Sequence, residues 1–156
     1  MERIGRKQEK SLSERKTSIP YDKIDKGILK TIRLLNKLPF CITTSCCQGH
    51  PESLSSNDWV VDSYITLEVT DEAKFLEMFQ EICFEFEKVT EHRLNLNKSY
   101  FFNINGNVGR EYHWRVAFWF GFESKEVLEK NLLKCRKCLE RLLHEYQEKQ
   151  KDVLDR

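Results

Sequence analysis

The residues best equipped for chemistry lie in Ile42-Thr43-Thr44-Ser45-Cys46-Cys47-Gln48-Gly49-His50-Pro51, which packs three hydroxyls, two thiols, an amide and an imidazole into one short run. Gly49 and Pro51 break regular structure, so the segment is expected to leave a strand and enter a tight turn. His50 titrates near neutral pH and is a candidate general base. A Cys47–His50 pair is a candidate for an activated thiolate nucleophile, and a partly exposed histidine without catalytic duty fits the same residues. Thr43, Thr44 and Ser45 offer donors and acceptors, and Gly49 lets backbone amides come close to a bound group. Together they make a polar cradle for a nucleotide or a small acid. The competing reading is that these hydroxyls satisfy the loop's own backbone.

A zinc reading would join Cys46, Cys47 and His50 to Cys135, Cys138, His113 or His144. Zinc wants about four nitrogen or sulfur ligands in a tetrahedron. The single Cys-x-x-Cys, Cys135-Arg136-Lys137-Cys138, falls in the middle of a helical pattern, so no metal is favoured. Farther along, His113, Arg115 and Trp119 share one face of a strand pattern. If that face is open, it suits a nucleobase or a phosphate, with Arg115 as the candidate for an anionic group. If helices cover it, Trp119 is core and Arg115 pairs with an acid such as Glu68. There is no Gly-x-Gly-x-x-Gly, Walker loop, Gly-x-Ser-x-Gly or His-Glu-x-x-His, which argues against Rossmann, P-loop, α/β-hydrolase and zincin chemistry.

The elements that must hold these residues follow from hydrophobic spacing. Residues 1–20 form a polar, basic arm, helical in part or frayed, and 21–150 form a single domain. Asp22 is a candidate cap for a helix to Lys37 with Ile24, Ile28, Ile32 and Leu35 on one stripe, stopped by Pro39. Phe40–Thr44 reads as a short strand with Cys41 and Thr43 on one face. Trp59–Val69 alternates cleanly, with Ser63, Ile65 and Leu67 pointing one way and Asp62, Tyr64, Thr66 and Glu68 the other. Thr70 or Asp71 caps a second helix bearing Phe75, Met78, Phe79, Ile82, Phe86 and Val89. Leu94–Ile104 and Tyr112–Phe122 are two strands joined through Asn105-Gly106 and Gly109.

The last helix starts at Ser124. Its seam of Leu128, Leu132, Cys135, Leu139, Leu142 and Tyr146 suits a sheet or a partner helix, and would allow a homodimer. The order α-β-β-α-β-β-α makes an α+β fold, with helices on one face of a mainly antiparallel sheet and a possible α-β-β duplication.

The 156 residues suffice for one core without staples. Basic and acidic residues number 26 and 25, a net charge of +1, which argues against a protein built around the DNA backbone. No apolar run of membrane length is present, and the charged start lacks a secretory pattern. A cytoplasmic protein with reduced cysteines is expected.

Thr43-Thr44-Ser45-Cys46-Cys47-Gln48-Gly49-His50 resembles the Thr-Thr-Ser-Ser-Cys-Ser-Gly-Arg signature of the wybutosine-synthesising tRNA methyltransferases. Thr43, Thr44, Ser45, Cys47 and Gly49 match, and Ile24-Asp25, Ile28, Leu35-Asn36 and Pro39 resemble that family's preceding helix. The likeness spans about residues 20–50; Cys46, Gln48 and His50 replace Ser, Ser and Arg, and the family's later motifs are absent. Replacing the arginine removes a fixed guanidinium suited to phosphate or carboxylate. The resemblance implies an α+β fold and a site for S-adenosylmethionine or a nucleotide, with tRNA as the partner. On that reading Thr43, Thr44, Ser45 and Gly49 bind and Cys47 and His50 act. The alternative is a non-enzymatic RNA- or protein-binding module that uses the basic arm and the last helix.

Overall fold

In a computed structural model of the chain, residues 11–50, 60–101, 111–121 and 123–154 are described. Four helices, α1 (Leu12–Thr17), α2 (Lys26–Lys37), α3 (Glu72–Thr90) and α4 (Lys125–Leu154), accompany four strands, β1 (Cys41–Cys47), β2 (Val60–Val69), β3 (Asn95–Phe101) and β4 (Glu111–Gly121). The sheet order is β1-β2-β4-β3 and every pairing is antiparallel. With β2 and β4 antiparallel at the centre, α2-β1-β2 and α3-β3-β4 are laid out as two related halves, and the fold is α+β. The turn expected around Asn105-Gly106 and the polar connection before Trp59 lie outside the described residues, as does Met1–Lys10 of the basic arm.

Helix spacing brings apolar side chains onto single faces. On α2, Ile28, Ile32 and Leu35 are buried, and on α3 Phe75, Met78, Phe79, Ile82 and Phe86 are. Asp71 caps α3 by accepting the Lys74 N–H at 3.1 Å. Val89 belongs to the expected stripe but is exposed; Thr90 is buried in its place, donating to the Phe86 carbonyl at 2.7 Å. Asp22 lies in a short 3-10 turn, and Asp25 is the residue before α2. Pro20 at the head of that turn starts the chain bending there, which delays the helix.

The helix layer packs on the face of the sheet that carries Ser63, Ile65 and Leu67 of β2 and Trp114, Val116, Phe118 and Phe120 of β4. Phe75 meets Trp114 with ring centroids 5.3 Å apart and Phe86 stacks on Phe118 at 5.9 Å, which sets α3 over β4. α4 packs against both α2 and α3. Its Leu128, Leu132, Cys135, Leu139 and Leu142 are buried among them, so the seam that could have met a second chain is filled by this chain's own helices. Polar ties run to each side: Gln147 Nε2 donates to the Leu34 carbonyl at 2.6 Å, and Lys134 Nζ to the Thr90 carbonyl at 3.1 Å.

α1 is a docked helix, not a frayed arm. Ser11 and Glu14 form a capping box, and Arg15 grips the Glu68 carboxylate with both guanidinium nitrogens at 2.8 and 2.6 Å. That hydrogen bond, with the charges of Arg15 and His113, holds the Glu68 carboxyl below the usual value of 4.5. A depressed folded pKa stabilises the fold above the unfolded value and loses that contribution as pH falls through the lower one. Replacing Glu68 with Gln is therefore expected to flatten the acid-side stability profile below about pH 4.5, as followed by urea denaturation at stepped pH.

The attachment of β1 to α2 rests on Asn36, which is 7% exposed. Its Oδ1 accepts the Thr43 N–H at 2.8 Å, while its Nδ2 donates to Thr43 Oγ1 at 2.8 Å and to the Tyr21 hydroxyl at 3.3 Å. Asn36→Ala leaves that backbone donor unsatisfied in the interior and is expected to cost about 1–3 kcal/mol in urea unfolding.

Candidate functional site

β1 runs to Cys47, farther than the expected end at Thr44, so most of the hydroxyl- and thiol-rich segment is strand rather than loop. The register explains how its side chains divide. Cys41, Ile42 and Thr43 pair with Val69, Glu68 and Leu67, whereas Ser45, Cys46 and Cys47 pair with Thr66, Ile65 and Tyr64. Thr44 is the extra residue of a β-bulge, and past it the alternation changes phase. Thr43 and Cys46 thus share the helix-side face with Leu67 and Ile65. Ser45 and Cys47 share the opposite face with Thr66 and Tyr64.

On that opposite face, Thr44 Oγ1 donates to the Thr66 carbonyl at 3.2 Å and lies 3.2 Å from His113 Nδ1. Ser45 Oγ is 3.4 Å from Thr66 Oγ1. Arg115 stands on the same face and pairs with Asp62, not Glu68, because Glu68 is held by Arg15. The side chain of Trp119 lies outside the described residues. The hydroxyls of Thr43, Thr44 and Ser45 therefore engage neighbouring groups of the fold, and only Thr44, Ser45, Cys47 and Arg115 share one surface.

The tail of β1 turns back onto the start of α2. Gly49, at φ 81°, takes the left-handed conformation that glycine adopts without strain, and its N–H points at Cys47 Sγ at 3.4 Å. The turn sets His50 Nε2 3.2 Å from Asp25 Oδ2, with 36% and 39% of the two side chains exposed. This is the orienting carboxylate that the sequence alone does not assign. Beside it, Gln48 Oε1 accepts the Gly27 N–H at 3.0 Å and faces Arg136 Nη1 at 3.4 Å. A Cβ on residue 27 would stand 2.2 Å from Arg136 Nη1 and 2.4 Å from Gln48 Oε1, so a larger residue there would push these two side-chain ends aside. Asp25 and His50, a backbone N–H of the first turn of α2 and a guanidinium from α4 thus converge around Cys46–His50.

The thiols differ in character. Burial pushes Cys41 and Cys135 up to about 12 and Cys83 up to about 11. Cys46 is also raised, by burial first and then by the negative charges of Asp25 and Cys47. Cys135 and Cys138 lie in the buried seam of α4, and His144 is exposed on that helix. Among the described residues, no group of three or more His, Cys, Asp or Glu is placed to hold a metal ion. A shallow hollow between α3 and α4, lined by Glu81, Glu85, Glu145 and Tyr146, contains none of the residues nominated above. No described helix is long and apolar enough to cross a membrane.

Arg136 was not legible as a site residue, since it meets Gln48 from 88 positions away. In the sequence, Asp25 is marked only by the resemblance, inside the helix expected from Asp22. Iodoacetamide at about pH 8 is expected to leave Cys41 and Cys135 unmodified in the native protein and to modify both in urea, as read by peptide mass spectrometry, because the thiolate is the reacting species.

No protein-family model matches the chain, and neither a curated protein nor a solved structure matches it.

Proposed function

We propose that the β1 tail and the start of α2 bind a small polar ligand, S-adenosylmethionine or a nucleotide, and that the protein transfers a group to RNA or a nucleotide as the wybutosine-type tRNA methyltransferases do. The observation that carries this reading is the half-exposed Asp25–His50 pair set by the turn at Gly49. An imidazole oriented by a carboxylate is a candidate general base for a substrate proton. Asp25 stabilises the imidazolium that results. Arg136 and the Gly27 N–H supply positive potential for a ligand carboxylate or phosphate at the head of α2, where Gln48 Oε1 now sits. This arrangement compensates for the arginine that the signature segment lacks.

Thr43 serves this site indirectly, by fixing β1 to Asn36, and Cys47 by receiving the Gly49 N–H that shapes the turn. A non-enzymatic module acting through the α4 seam is the weaker reading, because that seam is spent in the core.

Thermal melting with S-adenosylmethionine or a nucleoside monophosphate tests the proposal. A ligand at about 100 times its Kd stabilises by about 2.7 kcal/mol, a rise of roughly 5 °C or more for a chain of this size. His50→Ala is expected to abolish the rise. Asp25→Asn, which preserves a good helix-capping residue, should reduce it. Equal shifts in wild type and His50→Ala, or no shift with either ligand class, would contradict the proposal.

A further inference from the structure

Charge is segregated in a chain whose net charge is only +1. α2 carries four basic residues and no acidic one, whereas α3 carries five acidic and two basic. The four are Lys26, Lys30, Arg33 and Lys37, and all are exposed. Spacings of four, three and four residues place them within about 60° of arc on one helix face, spread over about 16 Å of axis. Ile28, Ile32 and Leu35 bury the other side of the helix, so the core itself turns this stripe outward.

Little in the fold neutralises the stripe. Lys30 meets Glu140 with 68% of the lysine side chain still exposed. Arg33 stands over the Tyr21 ring, 5.5 Å from the centroid, which leaves its charge uncancelled. Lys26 and Lys37 form no ion pair among the described residues. Glu148 feels the charge of Lys37 but is hydrogen-bonded to Lys151. Lys26 also opens α2, whose first turn holds no acid, the reverse of what the positive end of a helix favours. The cap residue Asp25 is paired with His50. At that same end Arg136 faces Gln48, so the row of cations continues into the turn that carries His50.

We propose that the α2 stripe binds the phosphate backbone of a single-stranded nucleic acid and leads it to the head of the helix. Charge complementarity identifies the occupant: a row of cations along a rod fits a linear polyanion, and the acidic α3 helix turns it away from the other side. Lys26, Lys30, Arg33 and Lys37 donate to successive phosphates and release counterions, without reading base edges, so binding is indifferent to sequence. The choice of a single strand rests on the proposed function, because a base must be unpaired for His50 to reach it.

Fluorescence anisotropy of the full chain with labelled oligouridylate and oligoadenylate, between about 50 and 200 mM salt, tests this surface. The two strands are expected to bind within about threefold of each other. Four phosphates on a single strand give a log–log salt slope of about −3, a loss of roughly fiftyfold over that range. Combined Lys26→Gln, Arg33→Gln and Lys37→Gln should flatten the slope to about −1 and weaken binding at low salt by about tenfold or more. Combined Lys74→Gln, Lys88→Gln and Lys149→Gln, which removes the same charge from α3 and the part of α4 beside it, should match wild type. All six side chains are exposed, and circular dichroism checks that both variants fold. A wild-type slope in the α2 variant, an equal loss in the α3-side variant, or binding weaker than about 100 µM at low salt would overturn the proposal. Tighter binding of a duplex of equal length would overturn the single-stranded partner. Sedimentation with phosphatidylserine vesicles that the α2 variant loses, without oligonucleotide binding, would assign the stripe to a membrane surface instead. The S-adenosylmethionine melting shift is read separately: its absence with the strand bound contradicts the proposed function alone, and its presence without strand binding contradicts this surface alone.

Discussion

Asn36 ties the two halves of the candidate site together. One side-chain amide holds the backbone N–H and the hydroxyl of Thr43, and through them fixes an edge strand to the helix that precedes it. Among the described residues, β1 has only β2 as a hydrogen-bonded neighbour in the sheet, so without that clamp its position would depend on a single ladder. With the clamp, the distance from Thr43 to the strand end is set. The tail then has to meet the first turn of α2, where Asp25 and Gly27 receive His50 and Gln48.

The bulge at Thr44 acts on this fixed strand. It turns Cys46 toward the core and Cys47 toward the open face, giving two adjacent thiols opposite environments. It also separates two polar surfaces. One is the turn at the head of α2, where a helix end and Arg136 provide positive potential beside an imidazole–carboxylate pair. The other is the β2–β4 face, where the Arg115 guanidinium stands over the Tyr64 ring. Both stand at the same end of β1 and β2, since Cys47 pairs directly with Tyr64.

Much of the architecture was legible because period decides it. Ile28, Ile32 and Leu35 on one side of a helix and Ser63, Ile65 and Leu67 on one side of a strand left few ways to fold. The α+β class and the two α-β-β halves follow from that order. The site was less legible. Alternation in Thr43–Cys47 gives no sign of a bulge, because Thr, Ser and Cys carry no strong preference for either face; the hydroxyls that read as a cradle are therefore divided between two. The covered-face alternative, which would pair Arg115 with Glu68, is not what forms: α1 brings Arg15 to that carboxylate, and Arg115 takes Asp62 instead. Arg136 and Gln48 meet through tertiary packing alone, which no local pattern encodes.

The account turns on the register of β1 against β2 on the two sides of Thr44. Cross-strand NOEs in an isotope-labelled sample measure it directly. The account predicts contacts of Thr43 with Leu67 and of Cys46 with Ile65, one residue out of step with a regular ladder. Contacts of Ser45 with Ile65 and of Cys46 with Tyr64 would mean an unbroken strand. They would put Ser45 in the core and Cys46 on the open face, and contradict the division of the site described here.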